Sequence, residues 1–299
     1  MKNLDLSIVI LNYNTKDLVV SCVESIFKFT KDLSFEILLV DNGSSETNPE
    51  RFKNIIKKHE QVKLVTSSKN LGFSAGNNLA MKKARGRYIL LLNSDTYLTQ
   101  KVLEPLILWL DANLKIGIAT CELKNKNNSH QASGGAFPNI FNAAAWMFFL
   151  DDIPLLSRLI KSIHPKHAPS KPTQQDWITG AFFLIRSKVI SQIGYLNTDF
   201  FMYVEDMEYC FRAKMANWQV WYLPQWSIVH LGGSSSTGEF SIISELKNQL
   251  LFYKKYYPPW QYSLYHLVFR LGILLRIAVF TILKGKEEGL AYVKAFQQI

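Results

Sequence analysis

An α/β architecture with a mostly parallel central sheet flanked by helices follows from three features of this chain. Ile37-Leu38-Leu39-Val40 and Ile89-Leu90-Leu91-Leu92 are short, unbroken apolar runs, the pattern of strands buried on both faces. Strand-like and helix-like segments alternate as β-α-β-α-β-α-β from residue 6 to residue 92, which predicts right-handed crossovers. Each apolar run is followed by an aspartate, Asp41 or Asp95, and ligands of open α/β sheets bind just beyond the carboxyl ends of strands.

The elements follow in order. Leu6–Leu11 reads as a strand ended by Asn12-Tyr13-Asn14. Asp17–Phe29 reads as an amphipathic helix with Leu18, Cys22, Ile26 and Phe29 on one face. Phe35–Val40 is the next strand, leading into Asp41-Asn42-Gly43-Ser44. Pro49–His59 suits a helix with proline near its first turn, and Val62–Val65 a short strand. Asn70–Asn78 holds Gly72 and Gly76 and turns into a helix running to Ala84; Arg87–Leu92 is the fourth strand.

The second half has a different character. A helix at Lys101–Asn113 leads to a strand at Ile116–Cys121. Lys124–Asp176 carries five prolines around apolar Ala143–Leu150 and reads as a long insertion with a helix or two. Trp177–Ile185 reads as extended, and Phe200-Phe201-Met202-Tyr203 as core. The cluster Glu205-Asp206-Met207-Glu208 precedes Arg212. Val220–Leu223 reads as a strand stopped by Pro224, and Val229–Ser236 closes this part. Beyond Phe240 the chain is helical, basic and apolar.

Composition limits the partners. The chain has 299 residues, of which 48% are hydrophobic, enough for a large core and too apolar for disorder. A net charge of +10 suits anionic partners such as nucleotides or phospholipid head groups. With no continuous basic helix and no nucleic-acid motif, no nucleic acid is expected. Cys22, Cys121 and Cys210 match neither a disulfide framework nor a zinc site. No signal-peptide pattern opens the chain, so a reducing cytoplasm is the expected compartment.

Several residue groups could carry chemistry. Asn93-Ser94-Asp95 offers oxygen ligands for a hard cation, although strand-end turns use the same residues. Asp41 could bind a base or ribose, or cap its own turn. Gly72 and Gly76 would let backbone approach a ligand, or simply admit a helix. Glu205 and Asp206 could form a base whose two carboxyls differ in pKa, or an acidic helix start. Glu208 and Arg212, four apart, could be a surface pair. His230 could be a metal ligand or a structural histidine.

Taken in order, Ser7–Asn14, Val40–Ser45, Asn70–Asn78, Leu91–Asp95, Gly180-Ala181-Phe182, Ile185-Arg186, Phe200–Asp206 and His230–Ser234 resemble the family 2 glycosyltransferases of the GT-A fold. The likeness is greatest to the bacterial rhamnosyltransferase-like branch and covers about residues 6 to 236. The resemblance implies inverting transfer from a nucleotide sugar, dTDP-rhamnose or a UDP-hexose, with Mg²⁺ or Mn²⁺. The acceptor would be a glycan or a polyprenyl-diphosphate-linked glycan of bacterial cell-surface polysaccharide. Asp206 would be the general base, supported by Glu205; Asp95 and His230 would hold the metal. Asp41 would contact the nucleoside, and Asn12, Asn14, Asn70, Gly72, Gly76, Asn77, Asn93, Ser94 and Gly180 would complete the donor site. The chain departs from the family pattern at Asn93, where an Asp is usual, and at Glu208, where an Asp is common. A nucleotidyltransferase would want a glycine-rich basic loop in place of Asn12-Tyr13-Asn14-Thr15, and a non-catalytic partner would not need Asp95, Asp206 and His230 together.

The expected domains are a catalytic region at 1–236, with halves at about 1–115 and 116–236, and a helical region at 237–299. Tyr262–Leu283 is long enough to cross a bilayer, yet Arg270 and Arg276 make a span costly. A helix lying in the interface would keep both arginines near phosphates and hold the protein on the inner face of the membrane, with packing against the domain and a true span as the alternatives.

Overall fold

The computed structural model describes residues 4–45, 50–232 and 238–299. Pro49 and Gly233–Ser236 therefore lie outside the described residues. The chain forms two compact units. The first comprises Met1–Ser133, Lys166–Phe201 and Glu205–Ser235; the second comprises Gly134–Pro165, Met202–Val204 and Ser236–Ile299. Residues 134–165 of the insertion group with the C-terminal helices.

The first unit begins with β1 (Leu6–Asn12), α1 (Lys16–Phe29), β2 (Phe35–Asn42), α2 (Glu50–Lys58), β3 (Val62–Ser67), α3 (Gly72–Met81), β4 (Tyr88–Asn93), β5 (Thr96–Leu98), α4 (Leu103–Ala112), β6 (Ile116–Lys124) and β7 (His130–Gln131). After β8 (Gly134–Gly135) and α5 (Ile140–Met147) of the second unit, it resumes. There it adds β9 (Thr173–Gln175), β10 (Trp177–Ile178), β11 (Phe182–Arg186), α6 (Ser187–Ile193), α7 (Glu205–Met215) and β12 (Gln219–His230). The sheet runs β3-β2-β1-β4-β11-β6-β12-β5, with β7 on β6 and β9 on β12.

The expected parallel half is present: β1 pairs in parallel with β2 and β4, and β2 with β3. β11 then runs antiparallel between β4 and β6, so the whole sheet is mixed. Register aligns Asn12 with Asp41, and Leu11 with Asn93, along one carboxyl edge. Apolar side chains of β1, β2 and β4 pack with those of α1 and α4 into one core. That burial, at roughly 25 cal/mol per Å² of apolar surface, holds the edge rigid.

Four local expectations change. The face of α1 in the core is Val19, Cys22, Val23 and Ile26; Leu18 and Phe29 are only half-buried, because the stripe is rotated by one residue. β12 continues through Pro224, with a register shift between Leu223 and Ser227 that leaves the proline outside the ladder. Phe200 is core, but Phe201 is 45% exposed. Glu208 and Arg212 are not a surface pair: Glu208 is fully buried, and Arg212 also donates to the Ile193 and Tyr195 carbonyls.

The second unit contains α5, a 3₁₀ turn at Leu150–Asp152, α8 (Glu239–Tyr256), α9 (Pro259–Lys284) and α10 (Lys286–Gln297). Tyr265, Phe269, Gly272, Ile273 and Arg276 form the inward face of α9. A Cβ at Gly272 would come within 2.5 Å of Met147 Cβ, so the close crossing of α5 and α9 needs a glycine. Arg276 is 7% exposed, donates to the Trp146 carbonyl and lies over the Trp146 and Phe149 rings. That corrects the expectation that both arginines reach a lipid surface; only Arg270 is exposed. Leu264, Leu267, Leu271, Leu274 and Leu275 form an exposed apolar stripe on the opposite face.

Candidate active site

Three groups of residues meet at the carboxyl edge of the first unit. The first is organised by Asn12. Its Nδ2 donates to Asp41 Oδ1 (3.3 Å) and Ser44 Oγ (3.0 Å), and its Oδ1 accepts from Thr15 N and Oγ1. Asn14, in the left-handed region at φ 57°, accepts from the Ser45 N–H and hydroxyl. Asp41 also accepts from Ser44 N, so it caps its own turn, and it is 8% exposed at the edge.

Thr15 Oγ1 also lies 2.9 Å from Ser94 Oγ, tying that loop to the second group, the Asn93-Ser94-Asp95 turn. Asp95 is 4% exposed, and its Oδ1 is 3.3 Å from His230 Nε2. Asn93 Nδ2 is 3.4 Å from the same ring nitrogen. β5 pairs antiparallel with the end of β12, placing His230 opposite Thr96.

The third group is joined through Asn93 N, which donates to the Ala181 carbonyl beside Gly180. Gly180 N donates to Asp206 Oδ2 (2.8 Å), and Met207 N donates to Asp206 Oδ1 (2.7 Å). Two backbone N–H groups thus meet the two carboxylate oxygens and aim them. Glu205 is 5% exposed, and burial, followed by the neighbouring Asp206 charge, pushes its carboxyl well above the usual range. The pair is therefore split: Glu205 holds its proton more tightly than an ordinary glutamate, while both Asp206 oxygens face backbone N–H donors. Tyr203 and Val204, immediately before the pair, lie at φ 71° and 70°, a costly conformation for a β-branched residue.

The remaining predicted residues are engaged within the protein. Asn70 Oδ1 accepts from Gly72 N and Asn42 Nδ2, and Asn77, fully buried, donates to the Phe73 carbonyl. A Cβ at Gly72 would meet the Phe201 carbonyl at 2.3 Å, and one at Gly76 would meet Leu11 at 2.7 Å. At both positions the lack of a side chain lets neighbouring chain approach this closely. Sequence reasoning missed Thr15, Ser44 and Gln131; Oε1 of the last lies 2.7 Å from His230 Nδ1. Ser44 lies within the quoted Val40–Ser45 motif and Thr15 directly follows Ser7–Asn14, whereas nothing local marks Gln131.

The donor set can be tested for a divalent cation. No group of three or more His, Cys, Asp or Glu able to hold a metal occurs among the described residues. Asp95 and His230 contribute one carboxylate oxygen and one imidazole nitrogen, which suits a cation whose remaining ligands are substrate phosphates and water. The pair fits that role. The three cysteines are buried free thiols, and burial pushes Cys22 up to about 12.

The sequence profile of Glycosyl transferase family 2 matches residues 7–194. The low-salt glycan biosynthesis hexosyltransferase Agl10 of Haloferax volcanii is 26% identical over 222 residues, 71% of this chain and 62% of its own length. The chain thus spans less than two thirds of that relative. The rhamnosyltransferase WbbL of Escherichia coli is 23% identical over 242 residues, 78% of this chain and 86% of its own. The mannosyltransferase PcManGT from Pyrobaculum calidifontis, solved with GDP-Man and Mn²⁺, superposes with a TM-score of 0.60 at 13% identity over 98% of this chain and 86% of that one. That likeness is one of fold, and the fold is GT-A.

Proposed function

The chain belongs to glycosyl transferase family 2, and from that premise we propose that it transfers a hexosyl or rhamnosyl group, with inversion, from a nucleoside-diphosphate sugar to a glycan or lipid-linked acceptor. The observation that carries this reading is the convergence of two devices on one sheet edge. One is the Asp95–His230 pair; the other is Asp206, held by Gly180 and Met207.

Asp206 takes the proton of the acceptor hydroxyl as that oxygen attacks the anomeric carbon, and the bond from that carbon to the phosphate oxygen breaks, releasing the nucleoside diphosphate from the opposite face. Such a base contributes about 10²–10⁴-fold. Burial raises the Glu205 pKa and so lowers its tendency to place a second charge beside the base. Asp95 and His230 would hold Mg²⁺ or Mn²⁺, which when bound neutralises charge on the nucleoside diphosphate. Asp41, at the opposite side of the Asn12 network, receives the nucleoside. The relatives are named a hexosyltransferase and a rhamnosyltransferase, and the donor in this reading is a UDP-hexose or dTDP-rhamnose.

The reading extends to the inner face of a membrane. α9 is long and apolar enough to cross a bilayer, but one face is packed within its own unit. Its exposed stripe, Leu264 to Leu275, contains no acid and is bracketed by Lys254, Lys255, Lys284 and Lys286. Such a face suits shallow burial in an anionic interface, beside a polyprenyl-linked acceptor.

Purified protein incubated with a panel of nucleotide sugars and Mn²⁺ or Mg²⁺ should release nucleoside diphosphate from one donor class. Release should stop on chelation. Turnover of no donor, with or without acceptor lipid extract, would sink the proposal.

A further inference from the structure

Gln131 sits in the two-residue strand β7, against the end of β6. Its amide Nε2 donates to the His230 backbone carbonyl (2.8 Å) and to Asn125 Oδ1 (2.6 Å). A backbone carbonyl can only accept, so the amide's NH₂ group must face it, and Oε1 must face the other way. Oε1 lies 2.7 Å from His230 Nδ1. An amide oxygen carries no hydrogen, so the shared proton belongs to Nδ1.

The chain of donors behind Gln131 is equally directional. Asn127 Oδ1 accepts from the Ser129 backbone N–H (3.1 Å), which can only donate. The same oxygen therefore takes the Ser129 hydroxyl hydrogen (2.6 Å). Ser129 Oγ then accepts from Asn125 Nδ2 (2.9 Å), leaving Asn125 Oδ1 to face Gln131. Every proton position from Asn127 to His230 is set by a backbone group at one end and another in the middle. The relay closes a tight turn in which Asn125 N donates to the Ser129 carbonyl and Asn128 sits at φ 68°.

We propose that Gln131, backed by Asn125 and Ser129, is a positioning residue that locks neutral His230 in the Nδ1–H tautomer and so presents a bare Nε2 lone pair toward Asp95. The alternative tautomer would carry a hydrogen on Nε2 and donate it to Asp95 Oδ1, 3.3 Å away, tying the two cation ligands to each other. Asn93 Nδ2, 3.4 Å from Nε2, can donate there only when that nitrogen is bare. The cation part of this inference rests on the metal reading given above; the tautomer part does not. Partners on the far ring nitrogen of a ligating histidine typically govern metal affinity by about 10–100-fold.

The tautomer is read on metal-free protein by nitrogen-15 NMR of labelled histidine, at about pH 8, above the ordinary imidazole pKa of about 6.5. The His230 signal is assigned by its loss in His230→Ala. Wild type is expected to show protonated Nδ1 and bare Nε2. Gln131→Leu removes the acceptor and should move the proton toward Nε2, raising the Mn²⁺ dissociation constant about 10–100-fold. Gln131→Glu keeps an acceptor opposite Nδ1 and should keep the wild-type tautomer and tight Mn²⁺ binding, even if both variants lose some thermal stability. Nε2–H in the wild type, or the same tautomer in Gln131→Leu, overturns the inference. Wild-type protein with Nδ1–H that binds no Mn²⁺ overturns the metal reading while the tautomer assignment stands.

Discussion

Gly180 N donates to Asp206 Oδ2 over 2.8 Å, so the turn before β11 aims a carboxylate at the start of α7. A Cβ at Gly180 would press on the Phe73 ring at 3.1 Å and approach Asp206 Oδ2 at 3.7 Å. Asp206→Asn offers one oxygen where two backbone N–H groups need acceptors, and it removes the base. The catalytic rate should fall by about 10²–10⁴-fold with the donor KM little changed. Gly180→Ala should lower the rate less, by moving the carboxylate rather than deleting it. Steady-state kinetics on both variants checks this; a raised donor KM with an unchanged rate would make Asp206 a binding residue.

Asp95→Ala should cut turnover about 10²-fold or more at limiting Mn²⁺, the scale of several kcal/mol of lost charge stabilisation. His230→Ala should be partly restored by raising Mn²⁺, because Asp95 still offers an oxygen. Metal titrations of activity separate the two. Near-normal transfer by Asp95→Ala at limiting Mn²⁺ would refute the metal assignment.

Glu205 holds its proton more tightly when folded than its ordinary value of 4.5, through burial and then the Asp206 charge. Above pH 4.5 the unfolded chain releases that proton while the folded chain keeps it. Stability from this group is therefore greatest below 4.5 and falls as pH rises toward the raised folded pKa. Glu205→Gln should flatten that decline and gain stability relative to wild type as pH increases. Melting temperatures measured from pH 4.5 to 8 would show the gap widening; a gap that narrows would contradict a raised Glu205 pKa.

Arg276 and Arg270 lie on the same helix and should behave differently. Arg276→Leu strands the Trp146 carbonyl and removes a cation stacked on two rings, so it should cost about 1–3 kcal/mol. Arg270 is exposed and only overlies Phe296, so Arg270→Leu should cost under about 1 kcal/mol. Urea unfolding of both variants makes the comparison.

Replacing Leu267, Leu271 and Leu274 together by Glu should abolish co-sedimentation with anionic vesicles while leaving soluble-donor hydrolysis intact. Each leucine is about half exposed, so the folded unit loses little, whereas lipid burial of a leucine is worth about 1.5–3 kcal/mol. Unchanged vesicle binding would point to another surface.

The sequence by itself determined the parallel half of the sheet, its carboxyl edge, and the positions of Asp41 and Asp95 at strand ends there; the fold brings Asp206 and His230 to them. Buried parallel strands require continuous apolar runs, and the ligand edge follows from their direction, so both are written locally. Tertiary structure alone decided what those residues touch. The split of Glu205 from Asp206 comes from burial, which no spacing encodes. Gln131 acquires its partner His230 only because β7 and the end of β12 are brought together across 99 residues. The inward turn of Arg276 depends on Trp146 and Phe149, which come from the insertion whose pattern had no period to read. Periodicity reports which face is buried; it carries no information about which distant group supplies the hydrogen bond there.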